Sequence, residues 1–152
     1  MNQTIAIIGA GPVGLAAAAH ALERGLDPVV LETGPAVGHA VRQWSHVPMF
    51  SPWAFNVDAA AERLLKTAGW ARPDGETYPT GGDLVSRYLA PLAAVPALRE
   101  RIRLHTEVLA VSRRGFDKVR TAGRETAPFA LRCRAGGEET TLFANAVIDT
   151  SG

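Results

Sequence analysis

Hydrophobic residues at the start of the chain fall into short runs separated by glycines and an alanine-rich stretch. The run Ile5–Ile8 predicts a buried strand, and Pro12–Arg24 predicts a helix that ends at Gly25. A second apolar run, Val29–Leu31, predicts another strand directly before Glu32. The order strand, glycine turn, helix, strand is that of a βαβ unit, which forms parallel sheets.

The middle of the chain alternates between irregular and helical patterns. Residues 39–58 have no clear periodicity, and their aromatic residues and prolines predict a long loop of the kind that often wraps a ligand. Its aromatic rings could flank a ligand, belong to the core or form a patch against another domain, and the core is the favoured place. A helix is predicted at 57–68, with Asp58 at its start. A second helix opens at the capping-box pattern Thr80–Asp83. The apolar stripe of this second helix consists of Leu84, Tyr88, Leu89, Leu92 and Val95.

The last third of the chain predicts strands. One strand covers 101–111, a hairpin pairs 129–134 with 140–144 around Gly136 and Gly137, and a final apolar strand covers 146–148. We therefore expect one α/β domain over 1–152, a Rossmann-like parallel sheet with helices and a small antiparallel β-meander. Its parallel strands lie at about 5–9, 28–32, 102–106 and 145–149, in the spatial order third, second, first, last. The meander covers about 107–144 and crosses over between the last two parallel strands.

Composition excludes several classes of function. The 152 residues carry a net charge of +1, so no basic surface suggests nucleic acid or an anionic membrane as a partner. The apolar stretch 5–19 has no basic residues before it, is interrupted by glycines, and is too short to span a bilayer. We expect a cytoplasmic protein, and the high alanine content with few lysines suggests a bacterial source. Cys133 is the only cysteine and alternates with Phe129 and Leu131, which predicts a buried thiol.

The glycine turn carries the candidate chemistry. Gly9 would permit a tight turn off the first strand, Gly11 would let the backbone approach a pyrophosphate, and Gly14 would let the helix pack closely on the sheet. The helix N-terminus would present free N–H groups to phosphates. Glu32 stands where a carboxylate meets a ribose 2′-hydroxyl, which favours FAD or NAD over NADP. The alternatives are a glycine turn in some other βαβ unit and a solvated acid at a strand end.

Together with Gly38, the meander and the ending Thr150–Gly152, this motif resembles the FAD-binding domain of two-dinucleotide-domain flavoproteins. The nearest likeness is to flavin-containing monooxygenase-like and related pyridine-nucleotide-dependent oxidoreductases. The resemblance implies FAD as cofactor, with NAD(P)H as co-substrate and a small-molecule substrate in the full-length protein. It also implies that the chain is the N-terminal part of a longer enzyme and does not turn over alone, since these residues contain no second G-x-G-x-x-G motif.

Carried over position by position, the resemblance assigns cofactor contacts along the whole chain. The glycine turn would wrap the pyrophosphate. Glu32, with Thr33 beside it, would bind the ribose hydroxyls, and Gly38 would start a second flavin-contacting loop. The backbone at Val108 would meet the adenine, and the closing turn would lie against the cofactor. The family usually has paired glycines followed closely by tryptophan, whereas Gly38 is single here and Trp44 comes later. The resulting set is Gly9, Gly11, Pro12, Val13, Gly14, Glu32, Thr33, Gly38, Trp44, Val108, Ser151 and Gly152.

No side chain stands out as an acid, base or nucleophile, and His39 and His46 lack further ligands at metal-binding spacing, so we predict neither catalytic residues nor a metal. The disulfide reductase branch of the fold carries a cysteine pair, which these residues lack. Two other functions stay open: an NAD(H)-binding dehydrogenase or regulatory domain, and a non-enzymatic module with the same fold. We also expect apolar surface meant for the missing domain, and hence self-association.

Overall fold

A four-stranded parallel sheet carries the glycine turn. The structure is a computed structural model, and it describes residues 3–152. The sheet has the order β3-β2-β1-β7, which confirms the predicted order third, second, first, last. Its strands are β1 (Thr4–Ile8), β2 (Asp27–Leu31), β3 (Ile102–Arg103) and β7 (Ala146–Asp149).

The helix after the glycine turn, α1, covers Pro12–Glu23, close to its predicted bounds. Arg24 is its C-cap residue, and Gly25 follows with a φ of +69°, a left-handed conformation that glycine adopts readily. Within the predicted loop 39–58 the structure adds a single helical turn, α2 (His39–Arg42), and a 3₁₀ turn, Trp53–Phe55.

The two predicted helices in the middle are both present. Helix α3 covers Ala59–Lys66, and the Asp58 side chain caps it by accepting a hydrogen bond from the Ala61 N–H. The capping box predicted at Thr80 is formed as well, with Asp83 as its acidic partner. The helical stretch that follows is interrupted by a π-helical segment, which the apolar stripe did not predict. It consists of α4 (Gly81–Leu84), the π-helical segment Val85–Leu89 and α5 (Ala90–Ala94), and α6 (Pro96–Arg99) comes next.

The apolar run 101–111 divides into two strands, as the predicted parallel strand at about 102–106 and the predicted meander from about 107 require. β3 stays in the parallel sheet, whereas β4 (Thr106–Arg113) belongs to a separate antiparallel sheet. His105, between them, has a φ of +50°, which turns the chain out of the first sheet. Its N–H donates to the Gly34 carbonyl at 3.1 Å, so contacts outside the strand fix this bend.

The antiparallel meander pairs β4 with β5 (Phe129–Ala135) and β5 with β6 (Glu138–Ala144). The predicted hairpin is confirmed. Its two loop residues, Gly136 and Gly137, have φ values of +58° and +82°, the positive values that a two-residue type I′ turn requires.

Two buried clusters hold these layers together. The larger lies between the helices and one face of the parallel sheet, with Leu15, Trp53 and Leu89 almost fully buried. The smaller lies between the other face and the meander, and contains Leu131 and Cys133. Cys133 is buried, as its alternation with Phe129 and Leu131 predicted, and this burial raises the pKa of its thiol. No helix within residues 3–152 is both long and apolar enough to cross a membrane.

Candidate functional site

A cavity of about 360 Å³ opens at the carboxyl ends of β1, β2 and β7. This is the edge at which a doubly wound sheet binds its ligands. The cavity brings together most of the residues that the sequence proposed, from both ends of the chain. Those among its lining residues are Gly9, Gly11, Pro12, Glu32, Thr33, Gly38, Ser151 and Gly152.

The three glycines of the turn have different surroundings. Gly9 has a φ of +100°, so the turn off β1 needs a residue without a side chain. A Cβ on Gly14 would overlap the carbonyl oxygen of Gly9, which explains the close packing of α1. A Cβ on Gly11 would have no described atom within 4 Å and would face open space. Gly11 is therefore the glycine at which a ligand could approach the backbone.

The first turn of α1 offers backbone donors rather than side chains. Helix α1 runs for 12 residues and has Gly11 as its N-cap, with Pro12 in the first position. The N–H groups of Val13 and Gly14 lie in that first turn and have no acceptor within the helix. The Val13 side chain is 68% exposed and does not line the cavity. A phosphate at this end of α1 would meet N–H groups and the positive end of the helix dipole.

The Glu32 carboxylate joins two loops of the cavity. One oxygen accepts a hydrogen bond from the Ala10 N–H at 2.8 Å, and the other accepts one from the Gly34 N–H at 2.7 Å. Each carboxylate oxygen can accept more than one hydrogen bond, so capacity remains for a ligand hydroxyl. Glu32 therefore orients the glycine turn even without a ligand.

Gly38 closes the opposite wall of the cavity. Its φ of +65° suits glycine, and its N–H donates to the Ala10 carbonyl at 2.9 Å. A Cβ there would come within 3.1 Å of Val85 and Leu89 in the π-helical segment. The loop that starts at Gly38 is thus held against both the glycine turn and the helical layer.

The closing turn after β7 reaches the same cavity. The Thr150 hydroxyl donates to the Ile8 carbonyl at 2.7 Å, and the Thr150 N–H donates to the same oxygen at 2.9 Å. The Ser151 hydroxyl donates to the Asp149 carboxylate at 2.6 Å. This bond, together with one from the Ser151 N–H, holds the pKa of Asp149 below its usual value.

Four of the proposed residues do not line the cavity: Val13 and Gly14, which lie in the first turn of α1, and Trp44 and Val108, which lie elsewhere. The Trp44 ring packs over Gly81 at the start of α4, where an added Cβ would lie 2.6 Å from a ring carbon. Val108 pairs with Cys133 and packs in the cluster between the two sheets. Packing accounts for the Trp44 and Val108 side chains, and their proposed contacts with a cofactor remain predictions.

The aromatic side chains of the loop 39–58 divide into buried and exposed ones. Trp53 is 1% exposed and belongs to the core, whereas Phe50 and Phe55 are 99% and 82% exposed. The exposed ones sit on ordered backbone, because Met49 and Trp53 donate hydrogen bonds to carbonyls of Pro79 and Thr77. Apolar rings held out in water on a fixed segment are typical of contact surfaces.

We expect the chain to self-associate through these two rings at high concentration. The double variant Phe50→Ser/Phe55→Ser should shift the sedimentation profile toward monomer, because it removes apolar area that association would bury. Val119→Ser is the matched control, since Val119 is 88% exposed on the meander, away from this loop. A strictly monomeric profile of the unmodified chain would count against the prediction.

Several cavity residues were not among those proposed from the sequence. Ile8 and Leu31 are the last residues of their strands, and their place at the carboxyl ends is the signal that could have found them. Thr150 belongs to the closing turn 150–152 that the sequence placed at this edge, although it was not named among the cofactor contacts. The helix α2 contributes His39, Ala40 and Val41.

The fold and this cavity agree with the comparison with known families. Residues 6–126 match the sequence profile of the family described as pyridine nucleotide-disulphide oxidoreductase. The chain belongs to this family. The resemblance to flavoprotein oxidoreductases that the motifs indicated is thereby confirmed. No protein of curated function matches the chain in sequence.

Solved structures of the same fold include monooxygenases and a disulfide reductase. OTEMO in an FAD-bound form covers 99% of this chain with a TM-score of 0.68 and 17% identity. An oxidised steroid monooxygenase bound to NADP covers 100%, with a TM-score of 0.69 and 20% identity. The bacillithiol disulfide reductase Bdr of Bacillus cereus covers 98%, with a TM-score of 0.67 and 21% identity. At these identities the likeness establishes the Rossmann-like fold.

The chain is much shorter than these proteins. It spans 25% of OTEMO, 26% of the steroid monooxygenase and 39% of the bacillithiol disulfide reductase. Each of them therefore has a large part that has no counterpart among these 152 residues.

Proposed function

We propose that this chain binds FAD through its ADP half and is the FAD-binding part of an NAD(P)H-dependent flavoprotein oxidoreductase with a monooxygenase-like reaction. The observation that carries the proposal is the cavity at the carboxyl ends of the parallel strands. It joins the open backbone at Gly11, the N-terminus of α1 and the Glu32 carboxylate in one place. These are the groups that a pyrophosphate and a neighbouring ribose need.

The size of the cavity supports binding of part of the dinucleotide. Its volume of about 360 Å³ lies at the lower end of the range for small-molecule sites. The absent Cβ at Gly11 leaves room for phosphate oxygens beside the free N–H groups of α1. Glu32 would accept hydrogen bonds from ribose hydroxyls, and Thr33, Ser151 and Gly152 would line the remaining walls.

The flavin would supply hydride and electron transfer, and the residues of this chain would bind and orient it. Glu32 would also exclude a 2′-phosphate, because like charges at close range repel. No side chain stands out in the sequence as an acid, base or nucleophile, and the chain spans 25% of OTEMO and 39% of the bacillithiol disulfide reductase. We therefore propose that the chain alone binds cofactor without turnover, and that NAD(P)H and the substrate bind elsewhere in a longer protein.

The structural comparisons support the cofactor part of this proposal. OTEMO is described in complexes with FAD and with FAD and NADP, and the steroid monooxygenase in complex with NADP. The second candidate is an NAD(H)-binding domain, because Glu32 suits the free 2′-hydroxyl of NAD as well as that of FAD. In this chain the glycine motif is followed by a meander and then by the closing turn, and this order favours FAD.

Titration of the purified chain with FAD, ADP, NAD⁺ and riboflavin tests the proposal. We expect FAD to bind, as seen by its absorbance and quenched fluorescence, and ADP to compete with it. Riboflavin should not bind, because it lacks the ADP half that the cavity fits. Binding of NAD⁺ without FAD would favour the second candidate, and binding of neither FAD nor ADP would sink the proposal.

A further inference from the structure

Two of the three glycines in the turn make room for a threonine from the other end of the chain. A Cβ on Gly9 would lie 3.0 Å from the Thr150 Oγ1, and a Cβ on Gly14 would lie 2.9 Å from the same atom. A Cβ on Gly11 would have no neighbour within 4 Å among residues 3–152. The glycine motif therefore has two uses: Gly11 faces the cavity, whereas Gly9 and Gly14 accommodate Thr150.

Thr150 also holds the end of β1 by hydrogen bonds. Its hydroxyl and its N–H both donate to the Ile8 carbonyl, at 2.7 and 2.9 Å. Ile8 is the last residue of β1, and Gly9 begins the turn with a φ of +100°. The hydroxyl thus fixes the backbone at the point where the chain leaves the sheet for the phosphate-facing turn.

We propose that Thr150 is a positioning residue that sets the geometry of the glycine turn for the pyrophosphate. This inference rests on the proposed function, since it concerns the same cavity. Thr150 acts through the turn: its hydroxyl donates to backbone and the turn's own N–H groups face the ligand. A small shift of this turn would misalign several N–H groups at once, and the fixed geometry avoids that cost on binding.

The position of Thr150 makes the coupling long-range in sequence. Ile8 and Thr150 are 142 residues apart, and they meet because β7 lies beside β1 in the parallel sheet. Any segment that moves the closing turn would therefore move the glycine turn as well.

Two variants separate the hydroxyl from the shape of the side chain. Thr150→Val keeps the branched shape and removes the donor, whereas Thr150→Ser keeps the donor. Thr106→Val is the matched control, because Thr106 is 8% exposed and its hydroxyl donates to the Leu104 carbonyl at 2.9 Å outside the cavity lining. Loss of one such hydrogen bond corresponds to about a fivefold change in an equilibrium constant.

ADP and adenosine are the probes, since only ADP carries the pyrophosphate. We expect Thr150→Val to bind ADP at least about fivefold more weakly and Thr150→Ser to stay within about twofold of the unmodified chain. Adenosine binding, followed by NMR, should not change. Thr106→Val should lose stability without losing ADP affinity. Equal ADP affinity of Thr150→Val and the unmodified chain, or an equal loss in Thr106→Val, would overturn the inference.

Amide hydrogen exchange without ligand distinguishes this inference from the proposed function. The Gly9 and Ala10 N–H groups, which donate to Leu31 and Glu32, should exchange faster in Thr150→Val than in Thr106→Val. If the unmodified chain binds neither FAD nor ADP, the proposed function fails, and exchange still reports whether Thr150 holds the turn. If it binds ADP and exchange at the turn is unchanged in Thr150→Val, the positioning role alone fails.

Discussion

Gly14→Ala is expected to destabilise the folded chain by on the order of 3 kcal/mol, the upper part of the range for overpacking a tight site. The added methyl would overlap the Gly9 carbonyl and lie 2.9 Å from the Thr150 Oγ1. The Gly9 carbonyl is backbone of a turn that is itself tied to β2 through the Gly9 N–H, so it cannot move away at low cost. Alanine gains about 1 kcal/mol over glycine within a helix, which is too little to compensate.

The control for this variant is Gly11→Ala, at another glycine of the same turn. A methyl there would have no described atom within 4 Å, and the φ of −84° is open to alanine. We expect its free energy of unfolding in urea to fall by about 1 kcal/mol or less, the cost of alanine at an N-cap. Its FAD affinity should fall instead, because the methyl would occupy the ligand's side. Similar unfolding free energies for the two variants would contradict this division of roles.

The βαβ unit and the sheet order could be predicted because their signals are local. Apolar runs, the glycine turn and the helix stop at Gly25 are all adjacent in sequence, and the handed crossover rules limit how such units assemble. The hairpin at Gly136 and Gly137 is local for the same reason. Its turn type requires positive φ at two successive residues, and glycine provides both.

The sequence predicted that the chain leaves the parallel sheet near residue 107, but it did not predict the bend at His105, because a non-local contact fixes that bend. The apolar pattern runs on from Ile102 through Val111, as for one strand. The bend depends on His105, which has a positive φ without being glycine, and on its bond to the Gly34 carbonyl. Nothing within 101–111 indicates that partner.

Which aromatic rings of the loop 39–58 are buried could not be predicted either, because non-local contacts decide it. Trp53 and Phe55 are two residues apart in one short turn, yet one is in the core and the other is exposed. Hydrogen bonds from Trp53 and Ala54 to the carbonyls of residues 77 and 75 determine which ring faces inward. Composition indicated an unusual segment and could not assign its side chains individually. The closing turn that contains Thr150 was expected at the ligand edge, whereas the hydrogen bonds from Thr150 to Ile8 could not be predicted, since Ile8 lies at the opposite end of the chain.

Glu32→Ala is expected to weaken FAD binding roughly 100-fold, the cost of two hydrogen bonds to a charged group. The substitution first removes two hydrogen bonds within the protein, those that the Ala10 and Gly34 N–H groups donate to the Glu32 carboxylate. Both loops line the cavity or adjoin it. FAD would therefore have to order them again when it binds, and this ordering would reduce its affinity. The second loss is the acceptor for the ribose hydroxyls.

The variant Glu32→Gln separates charge from hydrogen bonding. Its carbonyl oxygen can accept from one of the two N–H groups, but its amide nitrogen would face the other donor. FAD affinity should therefore fall between that of Glu32→Ala and that of the unmodified chain. Glu139→Ala is the control, since Glu139 lies on β6 and pairs with Arg132 and Arg134 at the surface of the meander. It should bind FAD as the unmodified chain does.

Discrimination between ADP and its 2′-phosphorylated form gives a readout that folding alone does not change. The Glu32 carboxylate should repel the 2′-phosphate, so the unmodified chain should prefer ADP, and Glu32→Gln should reduce this preference because the neutral amide removes the repulsion. Competition of the two nucleotides against FAD measures the ratio directly. If Glu32→Gln lowers both affinities equally and leaves the ratio unchanged, Glu32 only holds the two loops, and its carboxylate does not face the ribose.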